Sequence, residues 1–225
     1  GLVTSLYSSF MAIGAALAAG ISVPLAHGLN LGWRNSLWVW AILALIAFFV
    51  WLPQLKRLKK SKSNRSYSEA MKNLGGSQLA WQVALFMGLQ SLTFYVILAW
   101  LPSILQSRGY DASFSGWMLS LSQATGIFGS LIIPIFAGRR RDQRNIVLVL
   151  LILECIGLVG LLLPQFGPPA LWIGLIGFEL GGTFGLALLF IVLRSHNADS
   201  ATELSGMAQS IGYFVAGIGP IVFGS

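Results

Sequence analysis

Residues 170–194 read ALWIGLIGFELGGTFGLALLFIVLR. One charged side chain, Glu179, interrupts the run before Arg194 closes it. The hydrocarbon core of a bilayer is about 30 Å thick and takes about 20 apolar residues of α-helix to cross. This stretch is long enough. Outward from it, charges, prolines and glycines divide the chain into seven such spans, at about 4–26, 33–54, 79–107, 112–138, 145–164, 170–194 and 203–224. The third and fourth are long enough to tilt or bend, with Pro102 and Pro134 as the bend points. The expected fold class is an all-α membrane protein, a polytopic helical bundle.

Composition agrees. Of 225 residues, 56% are hydrophobic and 9% charged, against about 25% charged in a soluble domain. Mean hydropathy is +0.77. So few charges cannot cover so much apolar surface, which excludes a cytosolic enzyme, a disordered chain and a nucleic-acid-binding domain. The net charge of +7 has its source in basic loops. The single cysteine, Cys155, excludes a disulfide framework and a cysteine metal site. His27 and His196 fall at span ends, so the spans hold no metal-ligand set. No Ser, His and Asp are placed there to share a catalytic site. Neither an enzyme activity nor a cofactor is expected. The chain begins at Gly1 inside one apolar stretch and ends inside another, so a piece of a longer protein is expected.

The basic residues are sided. Lys56, Arg57, Lys59, Lys60, Lys62, Arg65 and Lys72 lie between spans two and three. Arg139, Arg140, Arg141 and Arg144 lie between spans four and five, and Arg194 ends span six. Of 14 Lys and Arg, that leaves only Arg34 and Arg108 for the other side. The positive-inside rule makes the richer side cytoplasmic. Spans one and seven then both run outward. The polar, Ser-rich segment 56–78 is the one linker, read as a solvated cytoplasmic loop.

Span one holds Ser9-Phe10-Met11-Ala12, then Ala19-Gly20-Ile21 and Pro24. Span seven holds Ser205-Gly206-Met207-Ala208, then Ala216-Gly217-Ile218 and Pro220. The two lie six helices apart and point the same way. A parallel repeat of six helices resembles the major facilitator superfamily. In that register the spans are helices five to eleven of twelve, and the basic loop falls where that fold joins its halves. Residues 1–55 are then the last two helices of the N-terminal half, 56–78 the inter-half loop, and 79–225 five helices of the C-terminal half.

Further stretches resemble one subgroup, the cyanate permease and 2-nitroimidazole transporter family. They are Gly32-Trp33-Arg34, Trp51-Leu52-Pro53-Gln54 and Leu79-Ala80-Trp81-Gln82. Gln90-Ser91-Leu92-Thr93-Phe94-Tyr95, Trp100-Leu101-Pro102 and Asp142-Gln143-Arg144 continue the likeness. It ends with Leu204-Ser205-Gly206-Met207-Ala208-Gln209-Ser210, Gly212-Tyr213 and Gly219-Pro220. Gly138-x-x-x-Asp142, with Arg144 following, resembles the superfamily's loop motif without its later glycine. The resemblance implies a secondary transporter of a small anionic or polar solute, cyanate-like or nitroimidazole-like. Two halves would rock about a central site, with Gly138, Asp142 and Arg144 as a cytoplasmic gate contact. It implies a multi-pass protein of the bacterial cytoplasmic membrane, monomeric when full-length, whose partners are its solute and the lipid bilayer.

Candidate site residues are the polar groups inside spans. A charge at mid-membrane costs about 2.5–3.5 kcal/mol on insertion scales, so it faces a cavity, pairs, or binds a proton. Glu179 lies on the helix that the resemblance places beside the central cavity, and is a candidate for solute contact and proton coupling. Glu154 falls on a peripheral helix, where a structural carboxyl is favoured. In span three, at about 100° per residue, Gln82, Thr93 and Trp100 share a face, with Gln90 nearby. Gln82 and Gln90 are candidate solute contacts, and Tyr95 points nearly the opposite way. Trp117 and Gln123 in span four, with Ser120 between them, and Gln209 and Tyr213 in span seven complete the set. Tyr7 and Met11 read as packing residues, as do Gly14, Gly20 and the Gly181-Gly182 pair.

The alternative is a seven-helix receptor or sensor. A retinal protein needs a lysine in its last helix, and none follows Lys72. A signalling receptor has its N-terminus outside, against the charge pattern.

Overall fold

The computed structural model describes residues 32–55 and 74–224, together with 10, 13–18, 20–22 and 24–28. Tyr7, Met11 and loop residues 56–73 lie outside the described residues. The helical residues 13–18 and 20–22 form α1, and a π-helical turn follows at Pro24–Gly28. Then come α2 (Gly32–Leu55), α3 (Gln78–Ser107), α4 (Ala112–Gly138), α5 (Arg144–Leu162), α6 (Pro169–Leu193) and α7 (Ala198–Phe223). Among the described residues, 6 helices, α2 to α7, are long and apolar enough to cross a membrane. The fold is an all-helical membrane bundle, and α1 is the described part of the first expected span.

Local chemistry sets the helix ends. The Ser77 hydroxyl caps α3 by accepting from Ala80 N at 3.3 Å, and the Asp111 carboxylate caps α4 by accepting from Phe114 N at 2.8 Å. Each satisfies one of the orphan N–H groups of a first turn. Two boundaries differ from expectation by more than one residue. Span five ends at Leu162 rather than 164, because Pro164 has no N–H to continue the ladder, and a short 3-10 turn, Pro164–Phe166, follows. Span seven begins at Ala198 rather than 203. Asn197 Oδ1 accepts from Ser200 N at 2.8 Å while Ser200 Oγ accepts from Asn197 N at 3.1 Å. This reciprocal cap starts the helix in polar sequence, ahead of its apolar stretch. The tight connection between α4 and α5 is closed by Gln143, whose buried amide donates to Ala137 O at 3.3 Å and Arg140 O at 2.6 Å.

The five helices α3 to α7 assemble from two intimate pairs, α4 with α6 and α3 with α7, and α5 lies on α6. Lipid removes the hydrophobic drive between helices, so close backbone approach at small residues holds such pairs together. A Cβ added to Gly181 would collide with the carbonyl group of Gly126, and one on Gly129 with the Phe178 carbonyl. Gly88 and Gly212 do the same for α3 and α7, where an added Gly88 Cβ would lie 3.3 Å from Gly212 Cα. The packing reading thus holds for Gly20, Gly181 and Gly182, each of which has close neighbours. An added Cβ at Gly14 meets nothing within 4 Å.

Side chains fill between the pairs. Val83, Met87, Ile191, Leu204 and Met207 join α3, α6 and α7 at one level. Ile97, Leu101, Leu105, Leu161, Ile173 and Ile176 join α3, α5 and α6 at another. The Arg108 guanidinium, just past α3, donates to Leu161 O. This places a cation at the C-terminal end of α5, where the unpaired carbonyls attract it. Large apolar side chains such as Phe136, Leu148, Phe214 and Ile221 stay exposed on the outer faces, as lipid contact requires. α2 is exposed almost all round. It holds to the preceding segment through Ser36 Oγ donating to Ser22 O at 3.2 Å and Trp40 Nε1 donating to Ser22 Oγ at 3.0 Å.

Candidate functional site

Where the pairs α4–α6 and α3–α7 face one another, a cavity of about 290 Å³ remains open. Its wall on the α6 side is Gly177, Leu180, Gly181 and Phe184. These positions recur every three or four residues, so they form one stripe. Phe94 and Leu98 of α3 add apolar surface, and Ala15 of α1 also reaches the wall. The polar lining is Gln90, Ser91 and Tyr95 from α3, Ser122, Gln123 and Ser130 from α4, and Tyr213 from α7. Among the described residues no charged side chain lines it. It is a mostly apolar chamber with a few convergent hydrogen-bonding groups, the usual make-up of a small-molecule site.

These groups differ in what they have left to offer. The Gln90 amide is committed to its own helix, donating to Met87 O at 3.1 Å and to Ser91 Oγ at 2.6 Å. Ser130 Oγ donates to Ile127 O at 2.9 Å. The Tyr95 and Tyr213 rings meet edge to face with centroids 6.5 Å apart, joining α3 to α7 across the wall. Gln123 is 6% exposed, and its amide makes no hydrogen bond to another described residue. An amide in that position can offer both its N–H donors and its oxygen to a solute.

Of the residues singled out from the sequence, Gln90, Gln123 and Tyr213 come together here. The other four lie elsewhere. Gln82 is exposed, outside the cavity. Trp117 is 57% exposed, and an added Cβ on Gly20 of α1 would lie 3.4 Å from its ring. Gln209 donates to Ser205 Oγ at 2.7 Å and lines a separate, open depression with Leu188 and Thr202. Glu179 is 1% exposed but belongs to the other side of α6, about 200° around the helix from Gly177. The shared face expected for Gln82, Thr93 and Trp100 is not the cavity face. Trp100 Nε1 donates to Pro220 O at 3.1 Å, tying α3 to α7.

Four polar cavity residues were missed: Ser91, Tyr95, Ser122 and Ser130. Tyr95 lines it without any break in α3, because the chamber wraps a wide arc of that helix from Gln90 through Phe94 to Tyr95. Ser122 was passed over beside Gln123. The loop motif is a solvent-exposed turn, with Asp142 Oδ1 accepting from Arg144 N at 3.0 Å and lying 4.0 Å from Arg144 Nε.

Comparison with known proteins places this architecture. Residues 1–223 match the family model of the Major Facilitator Superfamily. The chain is 43% identical over 225 residues to the uncharacterized transporter YycB of Bacillus subtilis (strain 168), covering 100% of this chain and 56% of that protein. It is 40% identical over 222 residues to the 2-nitroimidazole transporter of Escherichia coli (strain K12), covering 98% of this chain and 56% of that one. It is 29% identical over 219 residues to the cyanate transport protein CynX of the same organism, covering 97% of this chain and 56% of that protein. The chain therefore spans about half the length of these curated relatives. They are transporters by name and lend no support to a receptor. With a family match that runs through all seven helical segments, the chain belongs to the Major Facilitator Superfamily.

Proposed function

We propose that the protein is a secondary transporter of the bacterial cytoplasmic membrane, moving a small polar or anionic solute by alternating access. The observation that carries this reading is the cavity between the two helix pairs, which no charged side chain lines among the described residues, with the buried Gln123 in its wall. At about 30 Å³ per water molecule, 290 Å³ suits a solute of about ten non-hydrogen atoms or fewer. Cyanate and 2-nitroimidazole, named in two of the relatives, are within that size. Such a solute would be held by neutral donors and acceptors, Gln123 first, with Gln90, Tyr95 and Tyr213 around it.

In the same proposal residues 1–55 and 79–225 belong to two halves that rock against each other, joined by the cytoplasmic segment 56–78. The exposed turn with Gly138, Asp142 and Arg144 is the cytoplasmic gate contact. Glu179 serves as a proton-binding group rather than a solute contact, since it lies behind the cavity wall. The test is counterflow exchange of labelled 2-nitroimidazole, and separately of cyanate, in liposomes holding the full-length protein. Exchange that is weakened by Gln123→Ala supports the cavity. Exchange of either solute that Gln123→Ala leaves untouched removes this cavity from the pathway, and no exchange of either solute sinks the substrate class.

A further inference from the structure

At the end of the bundle away from the Arg139–Arg141 turn lies another cavity, of about 350 Å³. It sits between the turn after α3, the end of α5 and the start of α6. Arg108, Tyr110, Gly160, Leu161, Gly167 and Trp172 line it. Two glycines shape it. A Cβ added to Gly160 would collide with the Trp172 ring, so the indole packs directly on the backbone of α5. Gly167 has φ of 141°, a conformation rare for residues with a side chain, where the chain turns from α5 into α6.

The polar side chains at this pocket are donors. Arg108 gives one bond to Leu161 O and pairs with no carboxylate among the described residues. Asp111, its nearest acidic neighbour in sequence, is engaged in capping α4. From Leu158 to Trp172 the chain carries no charge at all. The carbonyl end of α5 offsets part of the guanidinium charge. The start of α6 adds to it, since that helix begins at Pro169 with no side-chain cap. Trp172 Nε1 is covered and has no hydrogen-bond partner among the described residues, whereas a buried indole N–H usually finds one. A guanidinium without a counter-charge and an indole N–H without an acceptor thus border one pocket. Both call for an anionic acceptor.

The surroundings decide what kind of anion. Leu162, Phe166 and Leu171 are exposed beside the pocket. They lie at helix ends, the level of the lipid headgroups, where tryptophan also concentrates. A free anion would leave that apolar surface bare. A phospholipid would lay an acyl chain along it and bring its phosphate to Arg108, whose planar fork matches phosphate oxygens. At about 30 Å³ per water molecule, 350 Å³ holds about a dozen non-hydrogen atoms, the size of a glycerophosphate headgroup.

We propose that this pocket binds the phosphodiester headgroup of an anionic phospholipid, with the Arg108 guanidinium and the Trp172 N–H donating to its phosphate oxygens. Arg108 follows α3 and Trp172 belongs to α6, so the bound headgroup bridges two separate parts of the bundle. The site lies apart from the solute cavity and does not depend on which solute the protein moves.

The experiment is photo-cross-linking of the full-length protein in phosphatidylcholine liposomes. The probe is phosphatidylglycerol with a diazirine in its headgroup, and the labelled peptides are located by mass spectrometry. In the parent, label is expected within residues 158–172, and unlabelled phosphatidylglycerol should compete it away. Arg108→Gln removes the charge yet can still donate to Leu161 O. It should raise the half-saturating probe concentration about tenfold or more, the loss expected for a hydrogen bond to a charged group. Trp172→Phe keeps a ring against Gly160 and removes the N–H, for an expected weakening of about 2- to 10-fold. Arg141→Gln, at the opposite end of the bundle, should leave labelling of this segment unchanged. Thermal unfolding checks that each variant is folded, and if Arg108→Gln is not, Trp172→Phe decides alone. Unchanged labelling in either folded variant overturns the two-donor site, as does label found only elsewhere. An equal loss in Arg141→Gln makes the labelling general charge attraction and also overturns it. Competition by inorganic phosphate as strong as by phosphatidylglycerol makes the occupant a free oxyanion and defeats the lipid assignment.

Discussion

Ser120 Oγ donates a hydrogen bond of 2.9 Å to the main-chain oxygen of Ala16, which ties α4 to α1. Beside it, a Cβ built on Gly20 would lie 3.6 Å from Ser120 Cβ. That separation falls in the range of about 3.5–4.5 Å found for cystine Cβ atoms. Gly20→Cys with Ser120→Cys, in a Cys155→Ser background, is therefore expected to form a disulfide in the full-length protein. If α1 and α4 belong to halves that must move apart, oxidation should stop counterflow and reductant should restore it. Free-thiol titration before and after oxidation checks the bond. A quantitative disulfide with undiminished counterflow would show that this contact need not open.

The α4–α6 pair predicts a stability contrast between two glycines. Gly181→Ala directs a methyl group into the carbonyl of Gly126, a backbone atom that cannot rotate away. Overpacking of this kind costs about 1–3 kcal/mol, seen as a lower thermal unfolding temperature in detergent. Gly206→Ala adds the same methyl where nothing lies within 4 Å. It should be neutral, or stabilising by up to about 1 kcal/mol through helix propensity. Equal effects at the two positions would mean that close backbone approach does not hold the pair together.

How far the sequence could be read is clearest at particular residues. The spans were legible because bilayer thickness fixes apolar length, and only short-range signals, Pro164 and the Asn197 cap, moved their ends by more than one residue. Asn197 and Ser200 carry that capping signal, but it lies outside the apolar window that located the seventh span. Gln90, Gln123 and Tyr213 could be singled out because amides and phenols are costly in lipid wherever they face. Which face of a helix meets a cavity is a different matter, since it depends on how neighbours pack. Angular counting from Gln82 therefore grouped Thr93 and Trp100 with the wrong surface and turned Tyr95 away. Glu154 was set aside because α5 was expected at the periphery. α5 packs on α6, so one face of it meets protein rather than lipid, which apolar length alone does not record.

The cavity yields a solute-binding contrast. Gln123 is buried, lines the cavity and makes no hydrogen bond to another described residue, whereas Gln82 is exposed outside the cavity. A hydrogen bond contributes about 0.5–1.5 kcal/mol net, or about 2- to 10-fold in affinity. Gln123→Ala should raise the half-saturating concentration for counterflow by that factor, and Gln82→Ala should leave it unchanged. The reverse ranking would move the site off α4.

Topology gives the last prediction. The three arginines Arg139, Arg140 and Arg141 lie at the α4–α5 turn and are exposed. Ser107 ends α3 and Arg108 follows it, at the short turn that leads into the other end of α4. One helix of membrane-spanning length separates the two turns, so they must face opposite sides of the bilayer. Which side is which follows from charge, because basic loops are retained in the cytoplasm. Cysteine at Arg141, in a Cys155→Ser background, should react with a membrane-impermeant thiol reagent only after the cells are opened. Cysteine at Ser107 should react in intact cells. Both variants lie at exposed helix ends, so folding should survive, and total thiol labelling of the denatured protein checks that both are present. Labelling of both from outside would contradict the span assignment of α4. Reversed labelling would keep the spans, turn the protein over, and place the Asp142–Arg144 turn outside the cell, where it could not serve as a cytoplasmic gate.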